Sequence, residues 1–436
     1  MALNQTPDGQ RDHAAQHLAA ATPQHVEPDS RHTNEPAPQH EHAQQYPSLH
    51  ALTSSTHLTQ HLLFVADHLK FGGAERHTVA LALGLARRGH RVTVAYLKAQ
   101  TDLAGELEQG GICCVCCDAS GGLDRAALGR LTALMDIDAP GLVIATSQYS
   151  LMYGALASRL AQHRPGLAFI CHSTDVVRRG TKARLRFVVY RQFYRLAHCI
   201  VFVSEQQRAY FAGLGMRLAR TEVVHNGIDL NHFSAPGKLR RVQLRRALGF
   251  AADDLVVGLC AVFREEKRHA DLLAAVAHQR ARGLPLKVLL VGDGPTRAGI
   301  EASRTQLGLD GAVVLTGFQQ DVRPFIDACD IMALTSHSET FPIATLEYMA
   351  LAKAVVASDV GGLREQLEDG LSGLLYPAGD VHALSLALQR LADPVLRQRL
   401  GQGALQAVHE RFGLDTMLER YEALFAALLP EPAAPR

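Results

Sequence analysis

Leu62-Leu63-Phe64-Val65-Ala66, then Gly72-Gly73, then a helical stretch from Glu75 to Arg88, then Arg91 to Tyr96, is the stretch that decides the fold. A short apolar run, a glycine loop, a helix with Val79, Leu83 and Leu85 turned inward and a second apolar run make one βαβ unit of a parallel sheet. The same alternation continues outward. Further strands are expected at 112–117, 142–145, 167–171, 199–203 and 222–224, with helices between them. A turn at His225-Asn226-Gly227-Ile228-Asp229 and a basic segment from Gly237 to Arg246 then lead into a second series. Its strands are expected at 255–259, 286–291, 312–316, 331–334 and 354–357. The reading is an α/β chain of two doubly wound domains, 61–238 and 239–411, facing a cleft. In such sheets ligands bind beyond the carboxyl ends of the strands.

A chain of 436 residues is long for one hydrophobic core, which agrees with two domains. Its 44 basic and 43 acidic side chains leave a formal charge of +1, so overall electrostatics gives no reason to expect nucleic acid. Residues 1–60 hold eight His and six Pro without apolar periodicity, and read as a disordered tail. The chain shows no secretory signal and no apolar run long enough for a membrane span, from which a cytoplasmic location is expected. The eight cysteines fit that setting. Cys113-Cys114-Val115-Cys116-Cys117 falls where a strand is due, so its sulfurs alternate between faces and are expected to act as small buried hydrophobes rather than metal ligands.

Four segments carry chemistry. Phe71-Gly72-Gly73-Ala74-Glu75 follows the first strand and opens a helix, so its backbone can approach a phosphate or sugar closely. It is not Gly-x-Gly-x-x-Gly, which disfavours a dinucleotide site. Val291-Gly292-Asp293-Gly294-Pro295 repeats the arrangement in the second domain, although a plain turn would look the same. Arg264-Glu265-Glu266-Lys267-Arg268-His269 places cations at a helix start, where they oppose the helix dipole unless an anion compensates; a solvated charge cluster is the alternative. In Ser336-His337-Ser338-Glu339-Thr340-Phe341-Pro342-Ile343-Ala344-Thr345-Leu346-Glu347, Pro342 suits the first turn of a helix. One carboxylate then precedes the helix and the other lies inside it, with free N–H groups between them that suit a diphosphate. The spacing alone occurs by chance in many helical proteins.

Taken together, these segments, with Asn226-Gly227-Ile228-Asp229, Gly317-Phe318, Glu347-Tyr348-Met349-Ala350, Ala354 to Ser358, Gly361-Gly362 and Glu365, resemble the retaining glycosyltransferases of the group 1 type, family 4. The resemblance covers roughly residues 61 to 428. It implies a GT-B architecture of two Rossmann-like domains, a nucleotide-sugar donor bound mainly by the C-terminal domain, no metal or other cofactor, and transfer with retention. Glu347 matches the ribose-binding glutamate, Glu339 the group that contacts the donor sugar, the amides around Thr340 and Phe341 the diphosphate cradle, and Lys267 the phosphate-binding lysine. Gly73, beside Gly72, matches the loop that closes on the phosphate, with Gly292 in the second glycine loop. His172, after the fifth strand, resembles the family histidine near the reacting centre. The chain departs from the pattern at Ala261-Val262, where Gly-Arg is usual. Arg264 is expected to reach the same phosphate from a shifted position.

The implied reaction moves a hexose or N-acetylhexosamine from a UDP- or GDP-linked donor to a glycan or lipid-linked acceptor in polysaccharide or lipopolysaccharide assembly. A silent nucleotide-sugar-binding scaffold and a nucleotide-sugar epimerase or hydrolase are the competing readings. Arg178, Arg179, Lys182, Arg184, Arg186, Arg191 and Arg195 surround a helix whose Leu185, Val188, Val189, Phe193 and Leu196 recur at helical spacing. Such a face can rest on an anionic membrane while the apolar stripe packs inward; an ordinary surface helix with an Arg-rich polar side is the alternative. Residues 412–428 read as an amphipathic helix that the resemblance sends back onto the N-terminal domain.

Overall fold

The computed structural model describes residues 59–174, 181–216, 218–233 and 238–429, with the side chains of 181–187 and 238–239 excepted. Residues 1–58 of the proposed tail, Arg178 and Arg179, and the side chains of Lys182, Arg184, Leu185 and Arg186 lie outside the described residues.

The first sheet holds β1 (His61–Ala66), β2 (Arg91–Tyr96), β3 (Cys113–Cys116), β4 (Leu142–Ala145), β5 (Gly166–Cys171), β6 (Cys199–Phe202) and β7 (Thr221–Val223). Its order is β3-β2-β1-β4-β5-β6-β7, and β1 pairs in parallel with β2 on one side and β4 on the other. The second sheet holds β8 (Val256–Cys260), β9 (Lys287–Val291), β10 (Val313–Leu315), β11 (Ile331–Leu334), β12 (Ala354–Ser358) and β13 (Leu374–Tyr376), in the order β10-β9-β8-β11-β12-β13. In each sheet the strand order reverses beside the first strand, so the switch points fall between β1 and β4 and between β8 and β11. The central strands β4, β8 and β12 are buried along their whole length, because helices cover both faces of each sheet.

Three local expectations need correction. β3 is an edge strand, so Cys113 is exposed, Cys114 and Cys116 are half-buried, and only Cys117 beyond the strand is fully enclosed. β13 adds a strand that the five-strand reading of the second domain omits. Among the described side chains of the helix Thr181–Tyr194, Tyr194 is the buried one, and Val188 and Val189 are 54% and 50% exposed. At about 100° per residue they sit some 120–140° away from Tyr194, so they cannot belong to an inward stripe.

The C-terminal helix Leu414–Ala426 buries Met417, Leu418, Tyr421, Leu424 and Phe425. It lies against the first-domain helix Gly73–Arg87, where a Cβ on Gly84 would sit 2.6 Å from Leu418, so glycine permits the close approach. Arg88 donates to Glu422 and Asp415, each at 2.7 Å, and fastens the rim of the contact. Each buried apolar side chain stabilises the contact by roughly 1.5–3 kcal/mol relative to exposure. The chain crosses between domains twice, and the crossings bond to each other: Ile228 N–H donates to Phe412 O, and Leu414 N–H to Ile228 O, both at 2.9 Å.

Candidate active site

The loops after β8 and β11 meet at the second sheet's switch point. Thr335 Oγ1 donates to the Lys267 carbonyl at 2.8 Å, and His337 N–H donates to the Glu266 carbonyl at 2.9 Å. These bonds hold the turn Glu265–Lys267 beside the segment that opens the helix Ile343–Ala350. Lys267 Nζ and Ser336 Oγ both donate to the same oxygen, Glu339 Oε1, at 2.6 Å. The Glu339 side chain is only 9% exposed, so this charge-assisted pair is shielded from water.

Pro342 occupies the position before the helix, and no side chain caps the helix N-terminus. Its first amides are therefore free for an anion. Behind them, Gly361 and Gly362 let the chain after β12 press against this loop. A Cβ on Gly361 would sit 1.8 Å from the Glu339 carbonyl oxygen, and one on Gly362 would sit 2.5 Å from that of Thr340. Gly361 also has φ +56°, which favours glycine independently. Glu347, one turn inside the helix, is partly exposed. Burial pushes its carboxyl up to about 7, opposed by Arg76 and reinforced by Asp321.

Not every expected residue joins this cluster. Arg264 stays out, with its side chain 59% exposed and its nearest carboxylate, Glu266, 3.9 Å away. Gly292 has a packing reason of its own: with φ +141°, a Cβ there would lie 1.9 Å from the Ala261 carbonyl oxygen. Thr340 and Phe341 contribute backbone, and the Phe341 ring stacks on His225 at 4.7 Å with planes 6° apart. Asn226 Nδ2 donates to the Phe341 carbonyl at 2.7 Å.

The opposite wall comes from the first domain. Gly72 precedes the helix Gly73–Arg87, and the Glu75 carboxylate folds back to within 2.2 Å of where a Gly72 Cβ would be. Gly73 faces open space. Phe71 of this loop meets Phe318 of the second domain, ring centroids 4.6 Å apart, so the walls touch there. His172 follows β5, half-buried, and burial pushes its imidazole down to about 4, leaving it neutral.

Sequence reasoning missed several partners. Ser336 lay inside the quoted run but was given no role. Asp67, at the end of β1, accepts from Ser147 Oγ and from the Ser150 amide at 3.1 Å, and burial raises its pKa. Glu365, matched only as a motif letter, accepts from the Glu205 and Gln206 amides at 2.9 Å each and contacts His225 Nε2 at 2.9 Å. It thus caps the first-domain helix Glu205–Gly213 from the second domain. Burial raises its pKa, but these bonds outweigh burial and hold it below the usual range.

Two family profiles match the chain: "Glycosyltransferase Family 4" over residues 71–232 and "Glycosyl transferases group 1" over residues 241–407. Among relatives, N-acetyl-alpha-D-glucosaminyl L-malate synthase of Bacillus anthracis is 29% identical over 275 residues, 63% of this chain and 71% of that protein. D-inositol 3-phosphate glycosyltransferase of Saccharomonospora viridis is 35% identical over 220 residues, 47% of this chain and 50% of that protein. The crystal structure of Anabaena HepE in complex with UDP superposes with a TM-score of 0.73 at 25% identity, covering 84% of this chain and 100% of HepE. Sucrose-phosphate synthase from Thermosynechococcus elongatus shares the fold, with a TM-score of 0.72 at 23% identity over 84% of this chain and 100% of that one. With one profile on each sheet and the cleft between them, the chain belongs to the group 1, family 4 glycosyltransferases of the GT-B fold.

Proposed function

We propose that this glycosyltransferase takes a hexose or N-acetylhexosamine from a nucleotide diphosphate sugar, UDP- or GDP-linked, and transfers it with retention to a glycan or lipid-linked acceptor in polysaccharide or lipopolysaccharide assembly. The observation that carries the reading is the Lys267–Glu339–Ser336 cluster beside an uncapped helix N-terminus at the β8/β11 switch point. UDP in the HepE complex supports a uridine donor.

The cluster has a mechanical logic. Without a ligand, Lys267 and Glu339 neutralise each other. An arriving diphosphate competes for Lys267, and Glu339, released from its cation, accepts hydrogen bonds from the sugar hydroxyls. As the anomeric bond weakens, negative charge grows on the diphosphate, where Lys267 and the free helix amides stabilise it. Exposed Arg264 is free to swing towards the same phosphate. Neutral His172 serves the sugar as a hydrogen-bonding group. Glu347 holds the ribose hydroxyls, and Gly73 leaves room for the loop to move over the phosphate.

Because Lys267 and Arg264 supply the positive charge, the reaction proceeds without a divalent ion, and full activity in excess chelator is the expected result. No helix of the described residues is long and apolar enough to cross a membrane. Contact with an anionic membrane is proposed for the helix Thr181–Tyr194, where Val188 and Val189 face outward. The whole reading is tested by incubating purified protein with a panel of nucleotide sugars and acceptors, following nucleoside diphosphate release and product mass. Absence of transfer from every donor would shift the reading to a binding scaffold.

A further inference from the structure

His172 has a neighbour that the proposed reaction does not use. His77, on the helix Gly73–Arg87, meets it edge to face, ring centroids 4.6 Å apart and planes 64° apart. His77 is 2% exposed, and its Nε2 lies 3.4 Å from the hydroxyl of Tyr421. Tyr421 is 0% exposed and comes from the C-terminal helix, 344 positions away in sequence. Two ring nitrogens in this stack, His77 Nδ1 and His172 Nε2, are buried and make no hydrogen bond among the described residues.

The buried phenol of Tyr421 keeps its proton and meets no acceptor but His77 Nε2 among the described residues, so donation to Nε2 is the arrangement that satisfies the hydroxyl. A neutral imidazole carries one proton, and accepting at Nε2 places it on Nδ1. His77 therefore holds a buried Nδ1–H without an acceptor, beside a histidine whose buried Nε2 lacks a donor. Each nitrogen supplies what the other lacks, and a hydrogen bond from His77 Nδ1 to His172 Nε2 would satisfy both. His172 would then carry its own proton on Nδ1, as a donor for the substrate.

We propose that Tyr421 and His77 are positioning residues for His172, holding its imidazole in one orientation and in the Nδ1–H tautomer. The C-terminal helix thereby reaches the reacting centre through two side chains without touching substrate. The proposal rests on the reading of His172 as a donor-sugar contact, and the experiment separates the two.

Nitrogen-15 spectra of histidine-labelled full-length protein, with His172 assigned from the His172→Ala variant, report the tautomer directly. The expected result is Nδ1–H for His172, turning to a mixture or to Nε2–H in Tyr421→Phe. Transfer by Tyr421→Phe should show kcat lower by roughly 5- to 15-fold, the effect of one hydrogen bond on a barrier, with donor KM changed less than about twofold. In a His172→Ala background the same substitution should change kcat by less than about twofold, because the group it orients is gone. His77→Gln should behave like Tyr421→Phe. An Nε2–H tautomer in the unmodified protein overturns the proposal, and needs no variant of Tyr421 to fold. So does an undiminished Tyr421→Phe effect when His172 is absent. If His172→Ala transfers normally, the sugar-contact reading falls, while the tautomer still decides whether the positioning pair exists.

Discussion

On one wall of the cleft, Lys267 and Ser336 each lie 2.6 Å from the same Glu339 oxygen; on the other, His172 and His77 touch ring to ring and leave two buried nitrogens unbonded. The first wall is built from charges that cancel, the second from neutral rings held by packing. A cancelled pair is poised for exchange, since an anion that takes the lysine frees the carboxylate. A packed ring is poised for orientation, since nothing has to be broken before it can bond. On the proposed function, binding energy is organised on the second domain and alignment on the first.

That contrast breaks first at Lys267. Replacing it with alanine leaves Glu339 without its cation and, on the proposed function, the diphosphate without its compensating charge. A loss in kcat/KM of roughly 30- to 1,000-fold, about 2–4 kcal/mol, is expected in steady-state assays. A change below about threefold would show that the charge pair is only structural.

Next in size is Gly361→Ala, which places a methyl group where the Glu339 carbonyl now sits and forces a glycine conformation on alanine. The loop must move, and a stability loss of roughly 1–3 kcal/mol with weaker donor binding is expected. Denaturant unfolding and a donor titration check it; unchanged donor affinity would mean that the cradle does not depend on this contact.

Glu347 sharpens the comparison through pH. Burial raises its pKa from 4.5 to about 7, so the proton is favoured in the folded state. Its ionisation therefore costs stability above about pH 7, and that cost is relieved as pH falls from 7 towards 4.5. Ribose hydroxyls want the ionised form as acceptor, so donor affinity should move the other way, weakening up to about tenfold from pH 8 to pH 6. Donor KM measured across this range in the native protein and in Glu347→Gln tests it. A native profile as flat as that of the glutamine variant would remove Glu347 from the site.

The smallest effect is expected from the tail. A chain starting near Ser55 should melt with the full-length protein, because the removed segment lacks apolar groups to offset ordering. A large drop would mean that the tail takes part in one of the walls.

The two walls also differ in what the sequence could disclose. Strands such as β1 and β8 read clearly because burial on both faces makes them unbroken apolar runs. β13 did not, since three residues between Gly373 and Pro377 carry too little pattern to separate a strand from a turn. Edge exposure of Cys113 is likewise invisible before the strand order is known. Lys267 and Glu339 were both legible as motif residues, each tied to a local stretch of chain. That they bond to each other was not, because a contact between side chains of two separate loops leaves no mark on spacing. His77 and Tyr421 were the least legible, since two helices from opposite ends of the chain bring them together. Glu365 stands between these cases, conspicuous as a letter and silent about the helix that it caps.

That cap has a consequence for motion. Separating the domains at Glu365 would strand two amides, an imidazole and a carboxylate at once, and would strip Asn226 from the Phe341 carbonyl. At Phe71 and Phe318 only two rings part. The domains are therefore tied far more tightly at Glu365 than at the two phenylalanines, and any opening of the cleft costs least at the rings.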